Sequence, residues 1–329
     1  MQLQKHHGTA SRSIYPREVF MNINCSPNSA FPAAAAASSA PSDPARSAAA
    51  DSAPQTRDVL DLNSQEKDDI AELMRRAGGT GAKIEDFTLV KGTDGDDKID
   101  ISSADNGGLN ITVNGKTSAY TAEQASKLII AAGDGHDRIK ADKDVTANLL
   151  ISGGRGFDNI ECGAGHDIIV DNLDQNYIDG GAGNDTIIAK GVNLQDPPTL
   201  SMVYGREVNG NVINGGAGND YIEGSNYNDV LAGLHDNDTI FAHDGDDVIL
   251  AGQGRNFVDA GAGNDHIENQ GAQGILLGGA GNDYIEAWQP SAAIIDNRGE
   301  NIIEASVSVD YLIASPESKV TIHKTPKSL

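Results

Sequence analysis

From Arg206 onward the chain repeats one apolar position every nine residues. Ile213, Ile222, Leu231, Ile240, Ile249, Val258, Ile267, Leu276, Ile285, Ile294, Ile303 and Leu312 fill the eighth place of successive nonads without a break. The same register governs an earlier block, with nonads starting at 144, 153, 162, 171 and 180. If the eighth residue of each short strand points inward, its neighbours at the seventh and ninth places point out. A strand that returns at so short a fixed period predicts stacked, repetitive β-structure rather than an ordinary globular core.

The flanks of this array read differently. Residues 1–56 are rich in Ala, Ser and Pro and short of anything to bury, which predicts a disordered leader. Over 57–131 the pattern predicts a capping helix and an irregular β entry region. Asn63 or Ser64 caps the helix, Glu66 lies in its first turn, Ile70, Leu73, Met74 and Ala77 share a face, and Gly78-Gly79 stops it. Its expected place is over the first open edge of the repeats, because stacked coils leave strand edges unpaired. Residues 87–90 and 109–113 read as strands, with Asn114-Gly115 as a tight turn. Residues 132–188 form a first repeat block and 206–313 the main one. Between them Pro197-Pro198 excludes a central strand, so 189–205 is expected to protrude as a loop. Residues 314–329 are expected as a C-terminal cap and tail.

Composition narrows the chemistry. The 329 residues include 38 glycines and 48 Asp+Glu against 24 Lys+Arg, a formal charge of −24. That balance argues against nucleic acid and anionic membrane as partners, since both need basic patches. The acids recur in register with apolar residues, which points to cation binding rather than disorder. Cys25 and Cys162 suggest no disulfide framework. No apolar run approaches the roughly 20 residues of a transmembrane helix, and the N-terminus lacks a basic segment followed by an apolar core. HExxH, GxSxG, P-loop and dinucleotide motifs are all missing, so the chain is read as non-enzymatic.

The acids sit mostly at the sixth place of each nonad, and glycine clusters at the first, second and fourth. Glycine permits the positive φ of a tight turn and leaves carbonyls free to face an ion. Hard oxygen donors of this kind suit calcium better than a soft or imidazole-seeking metal. Residues 180–187, 215–222 and 278–285 are the fullest copies, each reading GGxGxDxU with U a large apolar residue. The pattern, from about 92 to 304, resembles the hemolysin-type calcium-binding, or RTX, repeat family. The resemblance implies an all-β fold, a parallel β-roll or β-helix solenoid with 18 residues per coil. It also implies several Ca²⁺ ions, each held between turns one coil apart by sixth-place Asp and turn carbonyls. The candidate ligands are Asp94, Asp97, Asp134, Asp137, Asp158, Asp167, Asp185, Asp220, Asp229, Asp238, Asp244, Asp247, Asp265 and Asp283. The turn glycines Gly181, Gly183, Gly216, Gly218, Gly245, Gly261, Gly263, Gly279 and Gly281 complete the set.

With 18 residues per coil, alternate nonads fall on opposite edges. Turns 224, 242, 260, 278 and 296 share one edge and carry Asp229, Asp247, Asp265, Asp283 and Asn301. Turns 215, 233, 251, 269 and 287 share the other, where Asp220 and Asp238 give way to Asn256, Gly274 and Ala292. Calcium is therefore expected mainly between 242/260 and 260/278, then 224/242 and 215/233, with 162/180 the best pair of the first block. Carboxylates stacked about 4.8 Å apart repel by on the order of 3 kcal/mol per neighbour at an effective dielectric near 20. One buried Leu or Ile returns only about 1.5–3 kcal/mol, so ordering is expected to depend on the ion.

Other columns read as surface. Glu268, Glu286 and Glu304 are expected as an outward, solvated row, and Tyr177, Tyr221, Phe257, Tyr284 and Tyr311 as outward aromatics. No histidine pair shows zinc-ligand spacing. The resemblance implies a bacterial, secreted, virulence- or surface-associated protein, exported by a type I route. The Ser/Ala/Pro-rich leader also resembles type III export signals, which would make the chain a host-cell effector. An adhesin or scaffold contacting a host or cell-surface protein is the remaining reading.

Overall fold

The structure, a computed structural model, describes residues 64–78, 83–191, 200–203, 206–289, 292–296, 298–306 and 311–323. The expected leader, Cys25 and Pro197-Pro198 lie outside these residues. Within them the chain winds into a β-solenoid of two sheets, one of 11 strands and one of 13, both parallel through the repeats. Through the repeats, successive strands alternate between these two sheets, so each coil contributes one strand to each. In the second sheet Ile213 pairs with Leu231, Leu231 with Ile249, Ile249 with Ile267 and Ile267 with Ile285. Ile222, Ile240, Val258 and Leu276 align likewise in the first. The eighth-place residues from Ile213 to Ile303 are fully buried, and Leu312 packs part-buried against them. The expected coil and its inward column are both present.

The two ends are closed differently from the middle. Strand β1 (Thr88–Lys91) begins the first sheet. Strand β2 (Lys98–Ser103) begins the parallel run of the second and is covered by an antiparallel hairpin, β3 (Leu109–Val113) and β4 (Lys116–Tyr120). Asn114 and Gly115 join β3 to β4 with φ of 51° and 81°, the positive pair that a two-residue hairpin turn requires. At the C-terminal end, Lys319–His323 extends the second sheet as a strand, with Val320 beside Ile303. Part of the expected tail is thus a further coil.

Helix α1 (Ser64–Gly78) is present, but it lies on the flank of the solenoid and not over the first open edge. Ile70 and Leu73 pack on the outer face of the first sheet, against Ile129, Ala131, Leu150, Val170 and Ile188. The cause is local: Val170 and Ile188 occupy the outward ninth place in consecutive coils, whereas from Glu223 on the charged Glu223 and Asp259 alternate with Phe241 and Leu277 and break the apolar run. An apolar outer face in the early coils needs a cover, and burying Ile70 and Leu73 there contributes about 1.5–3 kcal/mol each. Ala77, expected on the packed face, is exposed. Ion pairs tie the helix down at both ends, Glu66 to Lys91 at 3.5 Å and Arg76 to Glu223 at 3.8 Å. Among the described residues no helix is long and apolar enough to cross a membrane.

Part of the expected loop, Leu200–Val203, pairs antiparallel with Arg206–Val208 at the start of the main block. The glutamate row is less solvated than expected. Glu268 pairs with Glu286 and Glu286 with Glu304, yet Glu268 is buried beside Gln270, and Glu286 accepts from Tyr284 and Trp288.

Candidate metal-binding edges

Each coil turns twice, and equivalent turns stack into two edges. On the long edge the sixth-place residues are Asp97, Asp137, Asp158, Asn176, Asn211, Asp229, Asp247, Asp265, Asp283 and Asn301. Each side chain from Asp137 to Asn301 accepts a hydrogen bond from the backbone N–H of its counterpart one coil earlier. Eight of these nine bonds measure 2.7–2.9 Å, and the ninth joins Asn211 to Asp229. The short edge runs through Leu149, Asp167, Asp185, Asp220, Asp238 and Asn256, with bonds of 2.7–3.0 Å. At its next turn Gly274 has no side chain to continue it.

In these columns one carboxylate oxygen, Oδ1, is engaged by the preceding coil. The other is buried without a hydrogen-bond partner at Asp137, Asp158, Asp167, Asp185, Asp220, Asp238, Asp247, Asp265 and Asp283. A buried, unpartnered carboxylate oxygen is costly unless a cation or a proton meets it. Burial is the first cause that lifts Asp137, Asp238 and Asp265 to about 7, Asp185 to about 8, and Asp167 and Asp220 to about 6. Asp158, Asp229 and Asp247 are raised for the same reason, Asp247 also by the neighbouring Asp229. Asp97 and Asp229 differ in the second oxygen, which accepts from the backbone N–H of Thr93 and Ser225.

The glycines shape the rest of the turn. All nine of the candidate glycines have positive φ. A Cβ on Gly218 would lie 1.7 Å from the Gly183 carbonyl oxygen, and one on Gly263 would lie 1.8 Å from that of Gly245, so neither place admits a side chain. The second-place carbonyls of Gly181 and Gly261 accept from the N–H of Ala217 and Ala280 in the next coil. No described backbone N–H donates to the fourth-place carbonyls of Gly183, Gly218, Gly245, Gly263 and Gly281. These carbonyls and the unpartnered carboxylate oxygens of the same turns are all hard oxygen donors, the type that calcium takes. Among the described residues no three His, Cys, Asp or Glu side chains converge as a metal-holding group, so backbone oxygens must supply part of any shell.

Three candidates stand apart. Asp94, Asp134 and Asp244 occupy the third place, Asp94 and Asp244 exposed and Asp134 half-buried, outside the sixth-place column. Asp244 takes part instead in a backbone bridge to Ala262 in the next coil, as Ala262 does to Ala280.

A second column was not anticipated. Fifth-place side chains accept from the coil that follows, opposite in direction to the sixth-place column: Asn184 from Asn219, Asn219 from Asn237, and Asn264 from Asn282, at 2.8–2.9 Å. His136 and His166 do the same through Nδ1, which gives two of the turn histidines a structural task. The recurrence of Asn at the fifth place was visible in the sequence. First-place Asp171, Asp296 and Arg206 also enter the long edge. Arg206 donates to the Asn264 carbonyl, and its charge favours the ionised forms of Asp265 and Asp283.

These features define a class: a parallel β-solenoid whose stacked glycine turns present columns of buried carboxylate and carbonyl oxygen. Residues 152–187, 214–249, 223–258, 236–267 and 275–289 match the family model described as RTX calcium-binding nonapeptide repeat (4 copies). The chain carries RTX calcium-binding nonapeptide repeats between 152 and 289. No curated protein and no solved structure matches it.

Proposed function

We propose that this chain is a secreted bacterial calcium-binding protein without enzymatic activity, at a surface or in virulence, whose coils become ordered on taking up several Ca²⁺ ions. The observation that carries the reading is the sixth-place column, with one oxygen of nearly every carboxylate fixed and the other buried and unmet. Asp137, Asp158, Asp167, Asp185, Asp220, Asp229, Asp238, Asp247, Asp265 and Asp283, with the fourth-place carbonyls, would hold the ions. Calcium bound there would neutralise the stacked charge. Extracellular calcium modules bind at about 10⁻⁴ to 10⁻³ M, so such sites stay empty where calcium is scarce and fill outside the cell.

Circular dichroism of the full chain, titrated with calcium and separately with magnesium, tests this. A β signal should grow with calcium and respond little to magnesium, which gives up its water reluctantly. A β signal already complete in chelator near neutral pH would overturn ion-dependent ordering.

A further inference from the structure

Two turns of the long edge depart from the sixth-place pattern in the same way. Turns 171 and 296 carry Asn176 and Asn301 where a carboxylate is usual, and each has an Asp at its first place, Asp171 and Asp296. The other turns of this edge have Gly or Ala there, except for Arg206 in the turn that follows 171. Both aspartates are buried, at 0% and 1% exposure.

Each faces the sixth-place Asp of the preceding coil. A Cβ built on Gly153 would meet Oδ2 of Asp171 at 2.2 Å and Oδ2 of Asp158 at 2.7 Å. One built on Gly278 would meet Oδ2 of both Asp283 and Asp296 at 2.9 Å. The same arrangement therefore occurs twice, two carboxylates meeting beside one first-place glycine. Oδ2 of Asp158 and of Asp283 is buried without a hydrogen bond. Asp171 and Asp296 are the only described carboxylates with both oxygens buried outside ordinary hydrogen-bond geometry, although the Leu173 N–H approaches Asp171 and the Asp283 carboxyl approaches Asp296. The asparagines do not relieve them, because Asn176 Nδ2 donates to the Leu173 carbonyl at 3.0 Å and Asn301 Nδ2 to that of Arg298 at 2.7 Å. None of the described ion pairs includes any of the four aspartates.

We propose that Asp171 and Asp296 are cation ligands moved from the sixth place of the turn to the first, so that coil pairs 153/171 and 278/296 each keep two buried carboxylates for one divalent cation. The inference rests on calcium binding at the ordinary turns and adds two sites beyond them. Two like charges this close do not both stay ionised without a positive charge beside them. Ligand charge sets calcium affinity, and each pair restores the charge its asparagine removed. The third asparagine turn of this edge shows the contrast: beside Asn211 the first place is Arg206, so no carboxylate is regained and no ion is expected between 171 and 206.

Counting bound ions on the full chain by equilibrium dialysis with labelled calcium, near neutral pH, decides it. Asp171→Asn and Asp296→Asn should each lose one ion, or bind one at least about tenfold more weakly, and the double variant should lose two. Asp296→Gly with Asn301→Asp returns the carboxylate to the sixth place and should restore the wild-type count. The asparagine replacements keep shape and remove buried charge, and an unchanged β signal at saturating calcium checks their fold. Unchanged counts and affinities in both single variants would overturn the proposal, leaving each pair to share a proton while wild-type uptake preserves the parent reading. A wild-type chain that takes up no calcium at millimolar concentration overturns both.

Discussion

The two edges of the solenoid share one backbone geometry and differ in how their turns are closed. On the long edge the sixth-place column is unbroken from Asp97 to Asn301, and carboxylates dominate it. On the short edge the carboxylates end at Asp238, and Asn256 takes over. The Asn256 amide donates to the Ala251 carbonyl at 2.9 Å and to Asn269 Oδ1 at 3.1 Å, while Asn269 closes the next turn on the Gly271 carbonyl. An amide carries its own donors, so these turns satisfy their oxygens without an ion. The lesson is that the repeat has two ways to satisfy a stack of glycine turns. Only the carboxylate way leaves a buried oxygen that a cation or a proton has to meet.

The broadest way to break this comparison is to replace the ion by a proton. Asp137, Asp238 and Asp265 are raised to about 7 and Asp185 to about 8 by burial, against an ordinary value near 4. Between about pH 4 and 8 the folded, ion-free chain then binds more protons than the unfolded one, so its stability falls as pH rises. In chelator the β signal should be present near pH 5 and lost near pH 8. With calcium present the dependence reverses in sense, because the ion displaces protons and binds more tightly as pH rises. A chelated chain equally ordered at both pH values would remove the carboxylates from the account.

Much of this was legible from nine-residue counting, and the failures have physical causes. The eighth-place column fixed register, coil length and the opposition of the two edges, because only one phase of a short strand buries Ile213, Ile222 and Leu231 together. The seat of α1 was missed since Val170 and Ile188 read as more strand residues, and their outward direction shows only once Ile169 and Ile187 are placed inward. Asp171 and Asp296 were missed because the repeat pattern assigns charge to the sixth place, and their partners Asp158 and Asp283 lie in the coil before. Asn256 registered as the loss of a ligand, whereas its amide is a replacement for one.

A paired substitution sharpens the edge difference at single residues. Asp265→Ala should remove ions on both sides of its turn. At calcium about 100-fold over Kd each lost site costs about 2.7 kcal/mol, so roughly 5 kcal/mol of stability is at stake. Asn256→Ala should leave the calcium count unchanged and yet cost about 1–3 kcal/mol, the usual effect of stranding buried polar partners. Calcium counting and thermal melts on both variants separate the two effects. Loss of an ion in Asn256→Ala would merge the edges into one kind.

The smallest effect tests whether the sixth place alone carries the difference. Asn264 on the long edge and Asn237 on the short edge hold equivalent fifth places, each exposed and each accepting from the following coil, Asn282 at 2.9 Å and Arg255 at 2.8 Å. A neutral, exposed hydrogen bond contributes about 1 kcal/mol or less. Asn264→Ala and Asn237→Ala should therefore lower the melting temperature slightly, with the calcium count intact in both. Asn264→Ala should lower it a little more, because the Asn264 amide also donates to the Asp246 carboxylate at 3.2 Å, where that of Asn237 donates to Asn219. The fifth-place side chains only tie coil to coil, and that task is the same whether the turn beside them is closed by an ion or by an amide. A calcium loss confined to Asn264→Ala would instead bring the fifth place into the cation shell of the long edge.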